Sequence, residues 1–195
     1  MKKILNRGRL AFFLAGVGLA AAAPLAPVPA TGQLPSEAGG VDGANGVPWP
    51  NPRFIRTYAH SGDCLTDRLT GLMWVISPKS IQIKGAAAGS STHWQNALDS
   101  VKAINNSIYG LCGHHDWRLP NQVELRSLVN YGQANPAAWL NSQGFVGVKA
   151  AYYWSSSSSA IYPDHAKAIT FITGYPHRAS KTEEYASVWP VRGGK

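Results

Sequence analysis

The residues of this chain best suited to ligate a metal ion form one short run, His114, His115 and Asp116. Imidazole nitrogens and carboxylate oxygens are ligands that zinc takes from proteins. Successive residues of an extended segment point to opposite sides, so such neighbours rarely share one ion without ligands from elsewhere. The other histidines are scattered and give no His-x-x-x-His spacing. We therefore expect no metal and no cofactor, and a polar turn in which Asp116 accepts backbone N–H groups.

The sequence also lacks the local motifs that accompany common catalytic sites. Ser155–Ser159 supplies hydroxyl groups, but no Gly-x-Ser-x-Gly motif surrounds them. Neither a paired-carboxylate pattern for glycoside hydrolysis nor a glycine-rich phosphate loop is apparent. No local cluster supplies the oxygen ligands that calcium needs. The sequence therefore favours a binding module over an enzyme.

Cys64 and Cys112 are the two cysteines of the chain. An even number of cysteines in an exported protein favours a disulfide. Linking them closes a loop of about 50 residues, which the loop-entropy model values at about 4 kcal/mol. The alternative is a reactive thiol pair, although the Cys-x-x-Cys spacing typical of such pairs is absent.

The first thirty residues have the three parts of a secretory signal peptide. A basic start precedes the apolar stretch Leu10–Ala23, and Val28 and Ala30 supply small residues ahead of a cleavage site. The apolar stretch is shorter than the ~20 residues that span a bilayer. We therefore expect cleavage near Ala30, no transmembrane segment afterwards, and a protein that is secreted, periplasmic or held at the cell surface.

The remainder divides into an arm and one domain. Residues 31–48 are rich in Gly, Ala and Pro, which predicts a flexible arm, and residues 49–195 are long enough to bury a core. Four of the 18 basic residues and none of the 10 acidic ones lie in residues 1–30, so the remainder carries 14 − 10 = +4 rather than +8. This charge disfavours nucleic acid as a partner and suits an acidic glycan or an anionic envelope polymer.

Two helices are expected in the middle of the domain. The first begins at a capping box formed by Thr92 and Gln95, and its apolar residues recur at helical spacing as far as Ile104. The second begins at a capping box formed by Asn121 and Glu124.

Short strands are expected on both sides of these helices. Residues 64–67 and 72–76 are β-prone and flank Gly71, which predicts a hairpin. Three later segments are also β-prone, namely 151–155, 167–173 and 185–191. A hairpin, two helices and then several short strands predict an α+β fold with mostly antiparallel strands.

Five motifs occur in a fixed order along the chain. They are the segments 66–74 and 111–120, the Glu124-Leu125 pair of the second helix, and the segments 152–156 and 189–194. Together they resemble the Lcl C-terminal domain family of exported bacterial proteins, over the range from about Trp49 to Gly194. The resemblance implies a C-type-lectin-like fold in which two helices pack on short strands, with a structural bridge between Cys64 and Cys112. It also implies structural roles for Thr70, Gly71, Trp74, Trp117, Arg118, Leu119, Pro120, Glu124, Trp154 and Trp189.

The resemblance also carries an expectation about function. The family includes a surface adhesin whose C-terminal domain binds sulfated glycosaminoglycans and takes part in oligomerisation. The collagen-like stalk of that adhesin is missing here, because no Gly-x-y tract is present. In this chain, residues 162–195 interleave basic and tyrosine side chains that suit charge-assisted hydrogen bonds and stacking. The candidate ligand-binding residues are Lys167, Tyr175, His177, Arg178, Lys181, Tyr185 and Arg192.

We therefore expect a non-catalytic module with adhesin-like recognition of polyanionic glycans or surface polymers. One alternative is a structural or assembly protein that docks to itself or to an envelope partner. A more remote one is an enzyme of the formylglycine or thiol redox type, which would need Cys64 and Cys112 as catalytic thiols. For residues 162–195, the alternative to a binding surface is an ordinary solvated loop region.

Overall fold

A computed structural model describes residues 28–33, 46–59 and 62–193. The expected signal peptide and arm lie largely outside these residues. The described strands are β1 Phe54–Ala59, β2 Gly62–Asp67, β3 Met73–Val75, β4 Tyr152–Ser158, β5 His165–Thr170, β6 Pro176–Ser180 and β7 Val191–Arg192. The described α-helices are α1 Trp94–Asn105, α2 Gln122–Ser127 and α3 Pro136–Ser142. No helix in these ranges has the length and apolar character needed to cross a membrane.

The first sheet has four strands in the order β1-β2-β3-β7, and every neighbouring pair is antiparallel. The predicted hairpin is confirmed as β2 and β3. Its turn is held by Asp67, whose carboxylate accepts hydrogen bonds from the backbone N–H of Leu69 and the hydroxyl of Thr70. Gly71 follows at φ +71°, a conformation that glycine adopts at little cost. Strand β1 was not predicted.

The second sheet has three antiparallel strands in the order β4-β5-β6. β4 and β5 overlap the predicted segments 151–155 and 167–173, whereas β6 was not predicted. The third predicted strand, 185–191, is largely wrong because Ala186 and Ser187 form only isolated bridges. Pro190 has no N–H to donate to a ladder, and only the last residue of that segment enters β7.

The three helices differ in how well their starts were predicted. For α1 the predicted capping box is wrong, because the N-cap is His93 and its side chain makes no capping hydrogen bond. Thr92 is instead buried. Its backbone N–H donates to the carbonyl of Ala186, and its carbonyl accepts from the Trp154 indole. For α2 the capping box of Asn121 and Glu124 is confirmed. The α3 helix was not predicted, although Asn135 caps it and Pro136 occupies a first-turn position that suits proline.

The core joins the two sheets through large aromatic side chains. Trp189 is fully buried and lies 5.2–5.7 Å, between ring centroids, from Trp74, Phe145, Tyr153 and Phe171. The indole N–H of Trp189 donates to the carbonyl of Val75, so its polar atom is satisfied. This packing fixes the sheets relative to one another and makes their outer surfaces rigid supports.

The disulfide between Cys64 and Cys112 is confirmed. It ties β2 to the loop that follows α1, with 6.3 Å between the two Cα atoms. Both cysteines are buried.

Candidate functional site

The motif residues near the disulfide hold Gly193, just after β7, to the start of α2. Arg118 donates to both carboxylate oxygens of Glu124, at 2.7 and 2.6 Å, and to the carbonyl of Gly193 at 2.9 Å. Burial alone would raise the pKa of Glu124. The hydrogen bonds from Arg118 and from the backbone N–H of Asn121 outweigh that effect, and its pKa lies below the ordinary value. Arg118 therefore positions α2.

The other motif residues lie in the core or beside it. Trp117 is buried and its indole N–H donates to the carbonyl of Leu111. Leu119 is buried next to it, and the carbonyl of Pro120 accepts from the backbone N–H of Ser156. Trp74 and Trp154 have no exposed surface. These residues build the framework, and Trp117 and Leu119 also line a shallow hollow of about 450 Å³ beside α1.

The run His114, His115 and Asp116 does not converge on one point. Nδ1 of His115 lies 2.8 Å from the carbonyl oxygen of Asn105. Asp116 accepts from Arg192 at 2.7 and 3.1 Å. These hydrogen bonds are the main reason why its pKa is lowered, and a hydrogen bond from its own backbone N–H contributes less. Across the described ranges, no three His, Cys, Asp or Glu side chains are grouped as metal ligands would be.

Two of the seven candidate ligand residues meet on one face of the second sheet. Lys167 on β5 and Arg178 on β6 are direct cross-strand partners, so their side chains leave the sheet on the same side. The guanidinium carbon of Arg178 lies 3.9 Å from the ring centroid of Tyr162. Together with Gln122, at the start of α2, these residues form what we call the basic face.

The basic face contains a shallow hollow of about 320 Å³, lined by Gln122, Pro176, His177 and the two basic residues. Within residues 28–33, 46–59 and 62–193, neither Lys167 nor Arg178 forms an ion pair with a carboxylate. Two like charges directly opposite each other destabilise a pair of strands. The arrangement therefore concentrates positive charge on this face of the second sheet.

Two other candidate residues form an aromatic stack next to this face. The ring of His177 stacks on that of Tyr185, with 5.3 Å between centroids and 18° between planes. Tyr152 lies against both rings, at 5.3 and 4.6 Å. Burial and the neighbouring Tyr152 raise the pKa of Tyr185 above the usual value, so its phenol is neutral at physiological pH. Tyr185 therefore supports the sheet and carries no charge to a ligand.

The remaining three candidates lie apart from the basic pair. Lys181 donates to the carbonyl of Pro163 at 2.8 Å, and its ammonium lies 4.5 Å from the ring centroid of Trp94. Arg192 belongs to the four-stranded sheet and is paired with Asp116. Tyr175 is exposed just before β6. Sequence proximity grouped these residues, but the topology separates Arg192 from the rest.

Two residues of the basic face were missed in the list of candidates. Tyr162 is the first residue of the candidate binding region 162–195 but was not named among its ligand-binding residues. Its contact with Arg178 depends on the register between β5 and β6. Gln122 is the first residue of α2, and 45 positions separate it from Lys167. No local pattern in the sequence indicates either contact, because both arise from tertiary packing.

Comparison with known proteins supports the motif pattern. Residues 63–192 match the family model of the Lcl C-terminal domain. No curated protein matches the chain. The matched range is two thirds of the sequence and contains the disulfide, the Arg118–Glu124 pair and the basic face. The chain therefore belongs to the Lcl C-terminal domain family.

Proposed function

We propose that this chain is an exported, non-catalytic binding module that recognises polyanionic glycans or anionic surface polymers through the basic face. The observation that carries the proposal is the pair Lys167 and Arg178, which oppose each other across two strands without a carboxylate partner in the described residues. A sulfate or carboxylate between them would turn a repulsive pair into two charge-assisted hydrogen bonds.

Each part of the basic face has a role in this proposal. The planar guanidinium of Arg178 offers paired N–H donors to a sulfate or carboxylate, while Lys167 supplies a compact charge. Tyr162 lies against the guanidinium and limits its rotamers, which reduces the entropy lost on binding. The hollow is at the lower end of the roughly 300–1,000 Å³ found for ligand pockets, so it suits one charged sugar unit of a longer polymer.

The proposal includes no catalysis. Cys64 and Cys112 are joined to each other and buried, which does not favour a thiol enzyme. We further propose that the fold is C-type-lectin-like and that residues 49–195 form the domain. Support for both comes from the family match and from the two sheets linked through one core. An experimental structure compared with such domains tests the fold assignment.

The test is binding of the protein to immobilised sulfated, carboxylated and neutral glycans at low and physiological salt. Removing one charged donor costs about 1.5–3 kcal/mol, so Lys167→Ala or Arg178→Ala should weaken binding to a polyanion roughly tenfold or more. Lys102→Ala removes an exposed lysine on α1 and should leave binding unchanged. Equal binding by all three variants, or no binding to any polyanion, would refute the proposal.

A second candidate function is assembly through the edge of the first sheet. β1 pairs on one side with β2, and among the described residues no strand covers its other side. Ile55 and Tyr58 of β1 are exposed, at 47% and 76%, on opposite faces of the strand, and an open edge strand is a template for main-chain pairing. Pairing through uncharged main-chain groups should persist at high salt, whereas polyanion binding should weaken steeply. The salt series therefore separates the two functions.

A further inference from the structure

The shallow hollow beside α1 has an apolar floor. The residues that α1 contributes lie on one face of the helix, because they recur at i, i+3, i+4 and i+7. They are Leu98, Val101, Lys102 and Asn105. Trp117 and Leu119 line the hollow from the loop before α2, and each is only 3% exposed. We call this space of about 450 Å³ the α1 hollow.

The shape of the α1 hollow is fixed by hydrogen bonds inside the protein. The side-chain NH2 group of Asn105 donates to the carbonyl of Trp117 at 2.7 Å, and its oxygen accepts from the backbone N–H of Trp117 at 2.9 Å. The Trp117 indole donates in turn to the carbonyl of Leu111. The loop is therefore held against α1 by the protein's own contacts, and a ligand would lose little entropy by ordering it.

One lysine gives the α1 hollow its charge. Lys102 is exposed, and no ion pair in the described part of the chain includes it. Asp99, three positions earlier on α1, forms its ion pair with Lys84, at 3.4 Å. Among the residues that the structure describes, none that lines the hollow carries a carboxylate. The Lys102 ammonium is therefore available to an anion at the rim.

Two further polar residues at the rim offer donors without adding net charge. Arg118 lines the hollow, but both carboxylate oxygens of Glu124 neutralise its guanidinium. Asn121 accepts from the backbone N–H of Glu124 through Oδ1, and within residues 28–33, 46–59 and 62–193 its NH2 group has no acceptor. Donors around an apolar floor suit a ligand with an anionic head and an apolar body.

We propose that the α1 hollow binds a small carboxylate with an apolar aromatic or aliphatic body. Charge complementarity selects this class, because the Lys102 ammonium pairs with one carboxylate while Leu98 and Val101 contact the apolar body. The volume of the hollow lies within the roughly 300–1,000 Å³ found for small-molecule sites. A long polyanion is a poorer occupant, since an apolar floor leaves its repeated charges without partners.

This site is separate from the basic face, because no residue lines both hollows. The proposal therefore does not depend on glycan binding. The two sites also differ in the ligands that they select. The basic face has two opposed cations for a polymer with many charges, whereas the α1 hollow has one unpaired cation beside apolar side chains.

The first experiment titrates the isotope-labelled protein with naphthoate, and with its uncharged amide as the matched control, and follows chemical shifts. We expect one saturable site, a shift of the Trp117 indole signal, and binding of the amide that is about threefold weaker or more. No saturable binding of naphthoate, an unmoved Trp117 signal, or equal affinities for the two compounds would each overturn the proposal.

Two variants on β4 test the position of the ligand by steric block. Ser156 and Ser158 are both exposed, but only Ser156 lines the α1 hollow. Ser156→Tyr places a ring at the hollow and should weaken naphthoate binding roughly tenfold or more. Ser158→Tyr makes the same change two positions further on and should leave the affinity unchanged. Equal effects of the two variants would place the ligand elsewhere and refute the assignment.

Lys102→Ala tests the charge at an exposed position where the fold does not depend on the side chain. It should weaken naphthoate binding about threefold or more and leave polyanion binding unchanged. Lys167→Ala should have the reverse effects, so failure of one proposal is distinguishable from failure of the other. An unchanged naphthoate affinity of Lys102→Ala would contradict the charge complementarity proposed for the α1 hollow.

Discussion

Arg53 and Asp67 form an ion pair that solvent barely reaches, with side-chain exposures of 2% and 0%. Asp67 also accepts from Leu69 and Thr70, so one carboxylate neutralises a buried cation and holds the β2–β3 turn. Asp67→Asn leaves Arg53 charged and unpaired, and should lower the free energy of unfolding by about 3–5 kcal/mol.

Urea denaturation measures this cost, and Asp63→Asn provides the matched control. Asp63 pairs with Arg56 at the protein surface, where solvent screens the charges, so its loss should cost far less than loss of the buried pair. Similar midpoints for the two variants would show that the buried pair contributes no more than a surface pair.

Glu124 should make stability depend on pH. Its pKa in the folded protein lies below the ordinary value of 4.5 because Arg118 and Asn121 bind its ionised form. The stability that ionised Glu124 contributes is therefore fully present above the pKa that this residue has in the unfolded chain. It is lost as the pH falls through the lower pKa of Glu124 in the folded protein. Glu124→Gln should be less stable than the wild type at pH 7, with the difference shrinking below about pH 4. Thermal melts across pH 2–7 test this, and a difference that does not change with pH would contradict it.

At the level of elements, the β2–β3 turn depends on backbone conformation more than on packing. Gly71 has φ +71°, and no atom lies within 4 Å of a Cβ added there. Gly71→Ala should therefore cost only the left-handed conformation, about 1–2 kcal/mol. Gly89 has a similar φ of +66°, but a Cβ added there would lie 2.4 Å from the Cα of Lys79. Gly89→Ala should therefore lower the free energy of unfolding more than Gly71→Ala does. The order of unfolding free energies checks both values, and a reversed order would refute this account.

Some elements could be predicted from local signals, whereas others depended on their tertiary partners, and the local signal for α3 at Asn135 and Pro136 was overlooked. The α2 helix follows from Asn121 and Glu124, whose side chains and backbones satisfy each other within one turn. Segment 185–191 has strand-forming residues, yet Trp189 is required in the core and the segment pairs mainly through single bridges. Tertiary packing overrides β-propensity in that segment.

The same distinction explains the candidate sites. The basic residues of 162–195 could be listed from sequence, but only the β5–β6 register shows that Lys167 and Arg178 are opposed. The first residue of α2, Gln122, also lines the hollow of the basic face. Its contribution cannot be assigned from the sequence before the helix has been oriented.

For the whole molecule, the disulfide is the covalent link with the largest expected effect on stability. The bridge between Cys64 and Cys112 spans a sequence separation of 48 residues, for which loop entropy predicts about 4 kcal/mol. The double variant Cys64→Ala with Cys112→Ala should lose about that amount in urea, with a further loss from the missing sulfur contacts in the core. Because both cysteines are buried, a reductant should produce titratable thiols only at urea concentrations that unfold the chain. Rapid reduction in native buffer would instead reveal an accessible bridge, and would favour the redox alternative over a purely structural role.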